Sequence, residues 1–199
     1  MNNAFKILFI LFFSFQSFGN ATEQEKKNTA AEWVEKGIKD FSKNEDDDAI
    51  KAFTTALSLD PNNAEAYYNR GLVLFWVGKR NQAIEDYNKA IALIPNEAKF
   101  YSSRGYAYAS TGRDDQALED YNKAIALNPK IEEGYLIRGV IYFGMGEYDK
   151  AIEDYNNAAV LNPNDTKIYY QRGKAYEKKG QYDRAIEDYK RAGVFNRGK

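Results

Sequence analysis

Prolines stand at Pro61, Pro95, Pro129 and Pro163, and glycines at Gly71, Gly105, Gly139 and Gly173, each series spaced by 34 residues. A period of that length restricts the chain to an array of like units. One unit of about 34 residues cannot bury its own hydrophobic face, and stacked neighbours can. The clearest unit is Ala98 to Ile131, and five copies run without a break: 30–63, 64–97, 98–131, 132–165 and 166–199.

The pattern inside a unit predicts two helices. Tyr101, Gly105 and Tyr108 form a stripe at three-and-four spacing, the signature of a helix with one buried side. Ala117, Tyr121 and Ala124 form a second stripe, so small residues on each helix meet large ones from the other. Gly112 followed by Asp114 predicts the turn between them. Pro129 lacks a backbone donor and pushes Asn128 out of the helical region, which predicts a stop before the next unit.

Each unit thus reads as an aromatic, a Gly four residues on, a second Gly, then Ala-(Ile/Leu)-Glu-Asp-Tyr, an Ala and a closing Pro. This resembles the tetratricopeptide repeat over residues 30–199. The resemblance implies an all-α chain: a right-handed superhelical α-solenoid of five tandem helix-turn-helix repeats.

Residues 1–21 stand outside the period and read as a signal peptide, with Lys6, an apolar run over Ile7 to Phe13 and a small-x-small site at Gly19-Asn20-Ala21. Cleavage before Thr22 is expected. The apolar run falls short of the ~20 residues that span a bilayer, so no membrane insertion is expected after cleavage. The product is expected to be periplasmic or secreted. Residues 22–29 form a polar extension of the first helix.

The whole chain carries 28 Lys+Arg against 29 Asp+Glu, a balance with no general pull toward nucleic acid. It has no Cys and no His, which removes disulfides, the usual metal ligands, the thiol nucleophile and the commonest general base. Gly78-Lys79-Arg80 lacks the earlier glycine of a phosphate loop. The acidic run over Asn44 to Asp48 does not alternate ligands around a glycine as a calcium loop does, and reads as carboxylates opening a helix. No cofactor, no metal and no catalytic residue are assigned.

Units 2 to 5 carry Arg70, Arg104, Arg138 and Arg172 before the first Gly, and Asp86, Asp120, Asp154 and Asp188 in the second helix. Unit 1 has Lys36 and Ala52 at these places. Two readings stand: an Arg to Asp contact between the helices of each unit, or two solvated positions copied by duplication. The Glu-Asp doublets, such as Glu85-Asp86, are expected on a solvated outer face.

Composition leaves binding as the prospect, and the resemblance implies where. In such arrays the second, fifth, ninth, twelfth and thirteenth residues of each unit line a concave groove. The candidate peptide-binding residues are then Tyr68, Leu72, Phe75 and Trp76 in unit 2, Tyr106 in unit 3, Leu136, Val140 and Phe143 in unit 4, and Lys167, Tyr170, Lys174 and Lys178 in unit 5. Trp76 is singled out because the family usually has a polar residue there. The carboxylate clamp of some family members is absent, since Val34, Ile38 and Ser103 replace its polar residues. An apolar centre and a basic end imply a protein or peptide partner with an apolar segment and an acidic end. At the C-terminal end Tyr182, Ile186, Tyr189, Val194 and Phe195 are expected to lack a covering helix. Ile186, Tyr189 and Phe195 are assigned to self-association as a weak homodimer.

Overall fold

The computed structural model describes residues 29–194, so the signal-peptide reading and Phe195 lie outside the described residues. Among the described residues there are ten helices and no strands: α1 Ala30–Ser42, α2 Asp46–Leu59, α3 Ala64–Trp76, α4 Arg80–Leu93, α5 Ala98–Ala109, α6 Asp114–Leu127, α7 Glu132–Gly144, α8 Tyr148–Leu161, α9 Thr166–Lys178 and α10 Tyr182–Arg191. No helix among them is long and apolar enough to cross a membrane.

Local chemistry sets the boundaries. Thr29 and Glu32 close a capping box at the start of α1, with the Thr29 amide donating to Glu32 Oε2 at 2.7 Å. Asn63 and Asp165 cap α3 and α9 by accepting backbone amides. The turn within each unit is closed by an amide that donates five residues back: Lys79 to Leu74, Arg113 to Tyr108, Glu147 to Tyr142 and Gln181 to Tyr176. That geometry needs a left-handed residue, which Gly78 supplies at φ +82°. Unit 1 has Asn44 there at φ +63°, the other residue type that tolerates this region at low cost.

Each helix packs on the next, and the first helices of successive units also touch: α1 on α3, α3 on α5, α5 on α7 and α7 on α9. The second helices make no comparable contact with one another. The odd-numbered helices therefore lie on the inside of the curve.

The core is a ladder of small against large. Ala49, Ala83, Ala117, Ala151 and Ala185 are buried in the second helices. Phe53, Tyr87, Tyr121, Tyr155 and Tyr189 lay their rings beside Gly37, Gly71, Gly105, Gly139 and Gly173 of the first. At Gly37, Gly71, Gly139 and Gly173 the ring edge occupies the space of a Cβ, and at Gly105 it stands slightly farther off.

Unit 1 differs where its sequence does. Its Asp40 is buried and pairs with Lys36 one turn earlier at 2.6 Å, in place of an interhelix pair.

Candidate interaction groove

The arginine and aspartate columns meet. Arg104 Nε and Nη2 donate to Asp120 Oδ2 and Oδ1 at 2.8 and 2.6 Å. Arg70 to Asp86, Arg138 to Asp154 and Arg172 to Asp188 repeat the fork. The remaining Nη1 crosses to the previous unit, where Arg104 reaches Asn88, Arg138 reaches Asn122, Arg172 reaches Asn156 and Arg70 reaches Thr54. A planar fork with a third donor suits this three-way joint, which a lysine could not make.

The expectation of a wholly solvated acidic face on the second helices is corrected. Glu85, Glu119 and Glu153 are exposed, but Asp86, Asp120, Asp154 and Asp188 are buried beneath their arginines. Burial pushes the Asp120 and Asp154 carboxyls up from their ordinary value, against the pull of Arg104 and Arg138. The aspartates are joints of the frame, each tying a first helix to the second helix of its unit.

Two recesses open on the inner face that this frame positions. The first, about 290 Å³, lies across units 2 and 3 and reaches unit 4. Leu72, Phe75 and Trp76 of α3, Ser102, Ser103 and Tyr106 of α5 and Glu133 of α7 line it, with Tyr87 and Tyr121 from the second helices. The Phe75 ring stands edge-on to Trp76 at 6.2 Å and 82°, and tilted to Tyr106 at 5.3 Å. Trp76 is 72 % exposed. It therefore fills no gap inside the array.

The second recess, about 640 Å³, lies between units 4 and 5. Leu136, Ile137 and Val140 of α7 face Thr166, Lys167, Tyr170 and Gln171 of α9, with Glu132, Glu133, Asp165 and Ala192 on its edges. Glu133 lines both recesses.

The candidate residues are thus divided. Leu72, Phe75, Trp76 and Tyr106 share the first recess, and Leu136, Val140, Lys167 and Tyr170 share the second. Tyr68 is half-buried on Tyr87 and Phe100, and its hydroxyl accepts from Ser103 at 3.4 Å. Phe143 and Lys174 lie beside the second recess rather than in its lining: the Lys174 ammonium sits 5.0 Å from the centre of the Phe143 ring and 5.7 Å from that of Tyr170. Lys178 is exposed at the end of α9 and lines neither. In unit 1, Val34 is buried and Ile38 exposed.

The groove positions implied by the repeat include Glu133, which is not among the candidate binding residues, and do not include Glu132, Asp165 or the buried tyrosines at the first recess. The recurring Tyr opposite each Gly was the available signal for Tyr87 and Tyr121. For Glu133 the signal was its place as second residue of unit 4.

At the C-terminal end, Ile186 is 42 % exposed, whereas its counterparts are buried in unit 2, at Ile84, and half-buried in units 1, 3 and 4, at Ile50, Leu118 and Ile152. Tyr182 and Val194 are exposed beside it in sequence. Tyr189 is half-buried: its ring packs beside Gly173 and Tyr170, the place Tyr87 takes in unit 2, and its hydroxyl donates to Glu177 at 2.5 Å.

Comparison with known proteins agrees with this architecture. The family profile described as TPR repeat matches residues 37–78, 105–146 and 139–180. Profiles described as tetratricopeptide repeat match 64–97 and 166–196. No curated protein matches the chain. Among solved structures, a MamA protein is 34 % identical with a TM-score of 0.76, the alignment covering 82 % of this chain and 89 % of that one. MamA 41-end from Desulfovibrio magneticus RS-1 is 20 % identical with a TM-score of 0.78, covering 85 % and 96 %. YrrB, a TPR protein with an unusual peptide-binding site, is 22 % identical with a TM-score of 0.74, covering 91 % and 93 %, a likeness of fold alone. From the 34-residue period, the helix pairs and these matches, the chain belongs to the tetratricopeptide repeat family.

Proposed function

We propose that the protein is an exported, non-catalytic scaffold that holds an extended or helical segment of a partner protein along the inner face of units 2 to 5. The exposure of Trp76 beside an open recess carries the reading. Large aromatics at the centre of a partly dry recess are the residue type that anchors interfaces. The two recesses together supply apolar walls for a segment, and Lys167, Lys174 and Lys178 along α9 supply positive charge for an acidic end. Export rests on residues 1–21 of the sequence.

Replacing Trp76 by a photo-crosslinking amino acid in intact cells tests the reading. A reproducible adduct with one partner, absent when the same amino acid replaces the solvent-facing Glu119, is expected. Adducts that are equal at both positions would overturn it. Sequencing the N-terminus of the purified protein tests export: a start at Thr22, or at Asn20, is expected, and Met1 retained on a soluble cytoplasmic protein would overturn it.

A second reading, a self-associating structural module of an envelope complex, is favoured by the exposure of Ile186, whose counterparts Ile50, Ile84, Leu118 and Ile152 are buried or half-buried. A two-fold contact between two such ends would bury the patch against itself.

A further inference from the structure

Building on the groove reading, we propose that the junction of the two recesses is a subsite for a basic side chain of the partner, held by the Glu133 carboxylate and the rings of Trp76 and Tyr106. Three observations point to it. The first recess is walled by aromatic rings and contains no Lys or Arg among its lining residues, so its one formal charge is that of Glu133. Glu133 is exposed and makes no ion pair with any cation of the described residues. On the α7 side of the second recess Glu132 and Glu133 continue the same sign, while Lys167 stands on the α9 side, where the Asp165 carboxylate is occupied in capping the helix.

The contrast with the rest of the molecule makes this arrangement informative. Many rings of the array already face one of its own cations: Arg70 lies over Tyr67, Arg104 over Tyr101 and Tyr108, Lys99 over Tyr68, Lys174 over Tyr170 and, at the first recess itself, Arg80 over Phe75. Trp76 and Tyr106 carry no such cation, although Trp76 is 72 % and Tyr106 46 % exposed. A ring face attracts a cation, and more strongly when both are partly dry. A guanidinium or ammonium entering beside Trp76 would meet ring faces and a free carboxylate at once. Arginine is the better fit, because its plane stacks on a ring while its edge bonds a carboxylate. At about 290 Å³ the recess falls at the low end of ligand-pocket sizes, which suits one side chain of a longer segment.

The partner segment then carries a basic residue between apolar ones over units 2 to 4, distinct from the acidic end proposed over unit 5. The charges on the two sides of the groove fix the direction in which the segment lies, since the reversed orientation would set like charges against each other.

The test is selection from a random displayed peptide library against residues 22–199, followed by the same selection against the Glu133→Lys variant. Peptides with Arg or Lys flanked by apolar residues are expected for the wild type, and peptides with Asp or Glu at that place for the variant. For one selected peptide, replacing its Arg by the neutral isostere citrulline, or Glu133 by Gln in the protein, should each weaken binding about tenfold. The two changes together should cost no more than one alone, because they remove the same contact. Peptides that are enriched without a basic residue, or whose binding is indifferent to Glu133→Gln, overturn the inference and leave the groove reading standing. Additive losses overturn the direct contact. Absence of any enrichment that depends on Trp76, judged with Trp76→Ala, overturns both.

Discussion

Arg104 clasps Asp120 through two parallel hydrogen bonds, at 2.8 and 2.6 Å, while its third donor reaches Asn88 of the preceding unit at 2.7 Å. One guanidinium therefore ties the two helices of its own unit and a helix of the neighbour. The Asp120 carboxyl is raised by its burial, and the Arg104 guanidinium is raised by its hydrogen bond to Asp120. Desolvation thus offsets much of the attraction, and the pair serves geometry more than net stability. Asp120→Ala should cost about 3 kcal/mol, since it strands a guanidinium. The double variant Arg104→Met, Asp120→Leu should lie within about 1 kcal/mol of wild type. Urea midpoints compare them; a double variant as damaged as the single one would show the pair to be a net stabiliser.

Gly71 and Gly105 occupy the same place in their units but face their rings at different distances. A Cβ at Gly71 would lie 2.7 Å from Tyr87 Cε1, and one at Gly105 3.2 Å from the nearest atom of Tyr121. Gly71→Ala should therefore destabilise by about 1–3 kcal/mol, and Gly105→Ala by less. Thermal melts of the two variants decide it, and the reverse order would refute the argument.

Burial raises the hydroxyls of Tyr87, Tyr121 and Tyr155 well above their ordinary 10.0. The unfolded chain gives up these protons near that ordinary value and the folded chain holds them. Their contribution to stability is whole below pH 10 and is lost as pH rises toward the folded values. In an alkaline titration the tyrosinate absorbance of these three should appear together with loss of helical circular dichroism. Ionisation of all 16 tyrosines with the helices intact would contradict the burial.

The basic end of the groove makes a separate claim. Replacing Lys167, Lys174 and Lys178 together by Gln should lower affinity for a selected peptide with an acidic end by about tenfold at low salt and flatten its salt dependence. Lys174 on its own should contribute least, because Phe143 and Tyr170 already face its charge. Unchanged affinity and salt slope would place the acidic end elsewhere.

Self-association is read from Ile186. Light scattering over a concentration series should show a dimer for residues 22–199 and a monomer for Ile186→Lys. A wild type that remains monomeric at high micromolar concentration would remove this reading.

The sequence by itself determined the units and their helices. A strict period, a Gly or Asn at each turn, a Pro after each of the first four second helices and matched stripes of Tyr, Ala and Gly are local rules, and the helices start and stop where those rules place them. The choice between a solvated and a buried Asp120 was different. Both give the same letters at the same spacing, and only the crossing of α5 on α6 brings Arg104 within bonding distance. Tyr189 looked like an apolar end on α10 until Gly173 on the facing helix was seen to leave room for its ring. Glu133 acquired its place at the junction of two recesses only because three first helices, 34 residues apart, converge on the inside of the curve. Helix ends are written in neighbouring residues, whereas burial and charge at a groove are sums over side chains distant in sequence, which the stacking alone assembles.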